Sequence, residues 1–351
     1  MKKVAVLHAQ VPFTKGGAEL LVEGLVEAIN EMLPGVEAEL IQIPFKWYPE
    51  SQILSDMMAW RMLDLTEAAG NKIDLVIGTK FPSYALSHPN KVIWLVHQHR
   101  AFYDLEGTSS DKVLVSEDEL YIRNKVRESD AKFISEAKGV YTIARTVSDR
   151  LEKFNGITSQ PISPPSKIAK KIYPGENKDY ILCVARIDKL KRQELLIEAA
   201  ALVPEVKVII VGKGDRIYTE YLCNLINKLN IGDRVDFKGY VGDDELLDLL
   251  ANCKGVFYAP VDEDYGYATI EGFLAKKNVI TTTCSGEVQK FVEETGSGFV
   301  SSTSPVEIAK SFQQLYQMSD EELKVKVQPG YELAKKVTWE DVLKELVEPY
   351  L

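Results

Sequence analysis

Short apolar runs alternate with amphipathic stretches along most of the chain. Residues 3–8 read as a buried strand, 9–15 as a loop, and Gly16-Gly17-Ala18-Glu19 opens a helical pattern carried by Leu20, Leu21, Leu25 and Ile29. Further strands are expected over 36–43, 73–77 and 91–96, with an apolar helical stretch over 52–69 between the first two. A helix over 117–136, a short strand over 139–143 and a helix over 145–153 follow. Strands that alternate with helices imply a parallel, doubly wound α/β sheet.

The rhythm then breaks and restarts. Between 157 and 178 the chain carries Pro161, Pro164, Pro165, Pro174 and Gly175 among Ser and Lys, the composition of a linker. Beyond it, strands are expected over 180–185, 206–211, 234–237, 255–258 and 279–282, separated by helices over 191–202, 218–229 and 243–251. The final segment, 338–351, has helical periodicity with Thr338 as N-cap and Trp339 as an anchor.

A length of 351 residues suits two such domains better than one core. Apolar and charged fractions of 45% and 27% are those of a globular protein, and the formal net charge of -10 argues against a general nucleic-acid binder. Lys167-Ile168-Ala169-Lys170-Lys171 is a local basic cluster suited to an anionic surface. Cys183, Cys223, Cys253 and Cys284 are too widely spaced for a metal site or a disulfide framework. Neither a signal peptide, a lipidation motif nor a bilayer-length apolar run is visible, so a cytoplasmic location is expected.

Candidate chemistry gathers where strands end. Glu263-Asp264-Tyr265-Gly266-Tyr267-Ala268-Thr269-Ile270-Glu271 reads as a loop opening a helix, a place where free N–H groups and the helix dipole favour an anion. On one continuous helix its two glutamates would stand roughly 12 Å apart. That is too far for a carboxylate dyad acting on one bond, so Glu263 and Glu271 are expected at opposite ends of a ligand. Arg186, at a strand end, and Lys191, at a helix start, would place a fork and a point charge over one cleft, suited to a diphosphate. Structural ion pairing is the rival reading of that pair. The strand over 91–96 delivers His97 and His99 at the sheet edge where α/β proteins bind ligands. Gly16-Gly17 would let a ligand approach the backbone closely, yet neither GxGxxG nor a Walker sequence is present.

In this order, Gly16-Gly17-Ala18-Glu19, Arg186 with Lys191, Val211-Gly212-Lys213-Gly214-Asp215, Phe237-Lys238-Gly239-Tyr240 and the Glu263 to Glu271 stretch resemble family 4 glycosyltransferases of the GT-B fold. The resemblance is strong over the second half and looser over the first. It implies two Rossmann-like domains facing each other across a cleft: 1–160 on the acceptor side, with 338–351 packing back on it, a linker over 161–178, and 179–337 on the donor side. It also implies a retaining hexosyltransferase that draws on a nucleotide diphosphate sugar and needs neither a metal nor another cofactor.

By the same resemblance, Arg186 and Lys191 would hold the diphosphate and Glu271 the ribose hydroxyls. The backbone at Gly266, Tyr267 and Ala268, with Gly16 and Gly17, would cradle phosphate, and Tyr240 would touch the base. Glu263 would sit at the transferred sugar, as orienting group or nucleophile, and His97 would face the reacting sugar. The acceptor, whether glycan, lipid-linked or small molecule, is left open, with possible peripheral contact at the inner face of the membrane. An epimerase or phosphorylase of the same fold, or a non-catalytic nucleotide-sugar binding module, would share much of this pattern. The chain departs from the family at Ala185 and Arg192, where glycines are usual, and at Glu287 and Lys290, which replace a glycine and an acid.

Overall fold

The computed structural model describes residues 1–107 and 116–351. The chain forms two compact units, Met1–Lys167 with Thr338–Leu351, and Ile168–Val337.

The first unit opens with β1 (Lys2–Gln10), α1 (Gly17–Met32), β2 (Val36–Pro44) and α2 (Ser51–Met62). A small hairpin of β3 (Glu67–Ala68) and β4 (Asn71–Lys72) comes next, then β5 (Leu75–Gly78), β6 (Lys91–Leu95), α3 (Glu117–Ser135), β7 (Gly139–Thr142), α4 (Arg145–Asn155) and β8 (Gln160–Pro161). The sheet order is β2-β1-β5-β6-β7-β8, every pair parallel. Buried on both faces, β1, β5 and β6 need the near-continuous apolar runs that the sequence supplies.

The helical stretch expected over 52–69 ends at Met62, and 67–72 forms the hairpin instead. Asp64 accepts hydrogen bonds from the N–H and hydroxyl of Thr66, a local turn that competes with the helix, and Ala69 and Gly70 take positive φ at the hairpin tip.

The second unit contains β9 (Ile181–Val184), α5 (Gln193–Ala201), β10 (Val208–Val211), α6 (Arg216–Leu229), β11 (Val235–Gly239), α7 (Asp243–Asn252) and β12 (Gly255–Phe257). It continues with α8 (Tyr267–Leu274), β13 (Asn278–Thr282), α9 (Glu287–Thr295), β14 (Gly298–Ser301), α10 (Pro305–Gln317) and α11 (Asp320–Lys335). Its parallel sheet runs β11-β10-β9-β12-β13-β14. A core that includes Ile181, Ile210, Phe257, Ile280 and Phe312 fills one side of it.

The last helix, α12 (Trp339–Leu346), belongs to the first unit. Thr338 caps it by accepting the Asp341 N–H, and the Trp339 ring packs edge-on to Trp94, with centroids 6.3 Å apart. It also lies against Gly24 of α1, where a Cβ would come within 2.6 Å of the indole. No helix among the described residues is long and apolar enough to cross a membrane.

Candidate functional site

Where the strand order of a parallel sheet reverses, the loops leaving adjacent strands diverge to opposite faces and leave a crevice at the carboxyl ends. In the second unit the reversal falls between β9 and β12. Three loops are stitched together there through the backbone. Val261 N–H donates to the Leu190 carbonyl (2.8 Å), Asp262 N–H to Cys284 (2.9 Å) and Glu287 N–H to Glu263 (3.0 Å). Gly286, at φ 62°, fits because it lacks a side chain: a Cβ would stand 2.4 Å from the Glu263 carbonyl oxygen.

This stitching brings Glu263 to Lys191. The ammonium Nζ lies 2.5 Å from Glu263 Oε2 and 3.0 Å from the Tyr258 hydroxyl, and both charged side chains are largely shielded. Burial opposes the Lys191 charge, but the Glu263 carboxylate and the Tyr258 hydroxyl outweigh it and raise the Lys191 pKa. Burial likewise pushes the Tyr258 phenol up. Tyr258 therefore stays a neutral partner and Lys191 a fixed cation.

Lys191 is not at a helix start, as the sequence suggested. It closes a 3₁₀ turn, Lys189–Lys191, and Arg192 at φ 52° separates that turn from α5. The left-handed conformation is the reason a glycine would suit position 192. Here the buried guanidinium offsets the strain, donating to the carbonyls of Ala259 and Pro260 and to the Thr282 hydroxyl, each at 2.7 Å, and to Cys284 Sγ at 2.9 Å. It clamps the exits of β12 and β13 together.

Arg186 behaves differently. Its side chain is 61% exposed, and its nearest charged partner is Asp188, 3.6 Å away, rather than anything in the Lys191 cluster. On the other side of Glu263, Gly266 takes φ 89° as the first cap of α8, and no side chain caps that helix. The hydroxyls of Tyr267 and Thr269, in the first turn, are buried without hydrogen-bond partners, and Ala268 lies buried between them. Glu271 stands one turn further along α8, so the two glutamates lie on different elements. Tyr240 follows β11 and is 71% exposed, with Lys213 Nζ 5.4 Å from its ring centre.

Gly16, Gly17 and His97 belong to the first unit. Gly16 caps α1 and its N–H donates to Glu19 Oε2 at 2.8 Å. His97 follows β6, and its Nδ1 lies 2.8 Å from the Gln98 carbonyl, which can only accept; Nδ1 therefore carries the proton. His99 instead sits among Phe102, Phe81 and Phe45, with ring centres 4.6, 5.6 and 6.2 Å away. Burial, with a smaller contribution from His97, pushes its pKa down to about 4. Among the described residues, no cluster of three or more His, Cys, Asp or Glu side chains is placed to hold a metal ion.

The sequence reading missed Tyr258 as part of this site, and met Arg192 and the segment around Gly286 only as departures from the pattern of the family it resembles. It also missed a buried group under Gly16, comprising His8, Glu19, Thr79 and Lys80. One signal for that group was available: Lys80 is a charge placed directly behind the apolar run of β5.

The two parallel sheets and their carboxyl-end loops define a GT-B protein with Rossmann-like α/β units. Sucrose-phosphate synthase from Thermosynechococcus elongatus superimposes with a TM-score of 0.79 at 15% identity, covering 100% of this chain and 98% of that one. Anabaena HepE in complex with UDP-glucose superimposes with a TM-score of 0.70 at 17% identity, covering 99% of each chain. Residues 166–328 match the family model described as glycosyl transferases group 1. An uncharacterized glycosyltransferase of Methanocaldococcus jannaschii is 26% identical over 180 residues, 50% of this chain and 45% of that relative. The chain thus spans less than half the length of the curated relatives it matches.

Proposed function

We propose that the chain is a retaining glycosyltransferase that moves a sugar, a hexose, from a nucleotide diphosphate sugar to an acceptor hydroxyl. The observation that carries this reading is the Lys191–Glu263 pair and the uncapped start of α8 at the strand-order reversal of the second sheet, with the exposed Arg186 on the loop that leaves β9. The match of residues 166–328 to the glycosyl transferases group 1 model and the likeness to a protein crystallised with UDP-glucose support it.

In this reading the diphosphate lies against Arg186 and the first-turn N–H groups of α8 at Gly266, Tyr267 and Ala268. Lys191 supplies a second, fixed positive charge. Glu271 receives the ribose hydroxyls and Tyr240 borders the base. Glu263, already oriented by Lys191, contacts the transferred sugar. As the bond from the anomeric carbon to the phosphate oxygen breaks, negative charge builds on the leaving diphosphate. Cations and helix N–H groups fixed before the reaction stabilise that charge more than the ground state, so the chemistry needs no metal ion. The acceptor oxygen bonds to the same face of the sugar, and its proton passes to the departing phosphate oxygen. The acceptor is a glycan, a glycolipid or a small molecule, and we place the reaction in the cytoplasm with peripheral membrane contact where the acceptor is lipid-linked.

The test is product analysis across UDP-, GDP- and ADP-sugars with a panel of acceptors, reading anomeric configuration by NMR. One donor giving a product of retained configuration is expected. An inverted product contradicts the front-face mechanism, and turnover without an acceptor to a different sugar nucleotide makes the protein an epimerase.

A further inference from the structure

The first unit buries a carboxyl that takes no part in the proposed chemistry. Asp130, on α3, is fully buried, and so is Tyr84 on the short turn Ser83–Ala85; Tyr103, in the segment that leaves β6, is 3% exposed. The Tyr103 hydroxyl donates to Asp130 Oδ2 at 2.7 Å. The Tyr84 hydroxyl faces the same carboxyl, yet neither it nor Asp130 Oδ1 has a hydrogen bond of full geometry among the described residues. Behind Tyr103, the Asn155 side chain of α4 faces the hydroxyl, and its Oδ1 accepts from Gln98 Nε2 at 2.7 Å. Asp130 thus ends a series that runs back to Gln98, the neighbour of His97 and His99.

The titratable groups that face this carboxyl are the two phenols, and the cations of the surrounding elements are committed elsewhere among the described residues. Arg127, one turn back on α3, donates to the Phe102 carbonyl and to Glu106, each at 2.7 Å, with the Tyr103 ring centre 5.3 Å from its guanidinium. Arg150 of α4 pairs with Asp104 at 3.1 Å. Arg61 of α2 donates to the Ala85 carbonyl at 3.1 Å and to Glu136 at 2.9 Å. Lys91 of β6 donates to the carbonyls of Tyr84, Leu86 and Phe133 at 3.2, 3.0 and 2.8 Å and to Glu136 at 3.2 Å. A buried carboxylate without a cation is costly. Burial pushes the Asp130 pKa up to about 7, against the lowering effect of Tyr103 and Tyr84. As a neutral acid, Asp130 can donate from Oδ1 toward the Tyr84 oxygen while Oδ2 keeps Tyr103. Ionised, Oδ1 is a bare charge in the core that only water can relieve. Of the two covers over it, Ser83–Ala85 is fully buried, whereas the segment 98–103 includes the half-buried His99, Arg100 and Ala101. The second cover is the one that gives way.

We propose that Asp130 is a pH-sensitive latch in the first unit: as a neutral acid it holds the segment 98–103 against α3, and on ionisation it releases that segment to water. The latch is independent of the donor reading, since no ligand enters it. The folded chain holds the Asp130 proton more tightly than the unfolded chain, where the ordinary value is 3.8. The stability it contributes is therefore complete below that value, declines as pH rises and is lost above about pH 7. His99, whose pKa is depressed, acts with the opposite sign on the acid side, so substitution at position 130 is needed to separate the two.

The test is urea unfolding of the full chain from about pH 5 to about pH 8, with amide hydrogen exchange read as protection factors over the same range, in wild type and Asp130→Asn. The ratio of the wild-type to the Asp130→Asn folding constant is expected to fall about tenfold or more as pH rises over this range, most of it below about pH 7. Protection of the amides of 98–103 is expected to be lower than that of β1 and β5, because the segment opens without global unfolding. It is expected to fall about tenfold or more in wild type over the same range and to stay level in Asp130→Asn. An unchanged ratio of folding constants overturns the proposal. So does level protection of 98–103 in wild type, or exchange of these amides only together with β1 and β5, either of which makes Asp130 an ordinary core residue. If Asp130→Asn does not fold, Tyr103→Phe decides. It removes a hydrogen bond that favours the ionised carboxyl, so a midpoint for the loss of protection at higher pH than in wild type supports the latch, and an unchanged or lower midpoint overturns it.

Discussion

Lys191 Nζ lies 2.5 Å from Glu263 Oε2, although 72 residues separate them in sequence. The pair joins the exit of β9 to the exit of β12, the two strands between which the order of the second sheet reverses. It has two consequences: Lys191 is held as a cation at a fixed place, and Glu263 is held in one orientation before any ligand arrives.

Arg186 and Lys191 can be separated by their stability cost. Arg186 is mostly exposed, so Arg186→Ala is expected to reduce kcat by about 10²-fold or more while shifting stability by under about 0.5 kcal/mol. Lys191→Ala also removes the partner of a shielded carboxylate and is expected to cost about 3 kcal/mol in addition. Steady-state kinetics and urea unfolding of both variants check this, and full activity in either one contradicts the phosphate assignment.

Position 192 offers a comparison of two effects with opposite signs. Arg192 holds the exits of β12 and β13 through its buried guanidinium but does so at φ 52°. Arg192→Ala loses the clamp and keeps the strain, so a loss of about 3 kcal/mol or more is expected. Arg192→Gly loses the same clamp and relieves the strain, and should be about 1 kcal/mol more stable than the alanine variant. Equal stability of the two, measured by denaturant melts, would show that the left-handed backbone at this position carries no cost.

A smaller effect is expected at Tyr258, whose hydroxyl meets Lys191 at 3.0 Å. Tyr258→Phe removes that partner while keeping the ring, for a loss of about 1–2 kcal/mol. Because Glu263 still pairs with Lys191, activity should fall by less than in Lys191→Ala; a loss as large as that of Lys191→Ala would give the phenol a direct role.

His99 predicts a pH dependence. Its folded pKa is depressed to about 4 from an ordinary value of 6.5, so the unfolded chain takes up the proton first. Its contribution to stability is complete above about pH 6.5 and is lost as pH falls toward 4, amounting to about 2–3 kcal/mol. In His99→Phe, which suits a cage of Phe45, Phe81 and Phe102, that share of the acid-side slope should vanish. The difference between wild-type and variant stability from pH 7 to pH 4 reads it directly, and parallel curves would place His99 in contact with water.

Much of the fold was legible because both sheets are parallel and buried on both faces. Such strands must be short continuous apolar runs, and β1, β5, β6, β9, β10, β12 and β13 each announce themselves in that way. Helix limits were less legible: nothing in the period of 52–69 shows that Asp64 and Thr66 turn the chain after Met62. Beyond Thr282 the reading offered no strand or helix before 338, although α9, β14, α10 and α11 all lie there; their apolar positions are interleaved with Glu, Lys and Gln along amphipathic faces. At the site, the identities of Arg186, Lys191, Glu263 and Glu271 could be read from local spacing. Their partners could not. The link from Lys191 to Glu263 spans 72 residues, that from Lys80 to Glu19 spans 61, and that from Arg192 to Thr282 spans 90. In each unit, only the folded sheet brings these partners to its carboxyl edge.

The most direct measurement is titration calorimetry of UDP, GDP and ADP, and of their sugars, against wild type and Arg186→Ala. The account predicts that one nucleotide series binds saturably to wild type, stabilising it by about 2.7 kcal/mol at a ligand concentration 100 times Kd, and binds Arg186→Ala at least about tenfold more weakly. Absence of binding to wild type by every nucleotide, or equal affinity in Arg186→Ala, would contradict it.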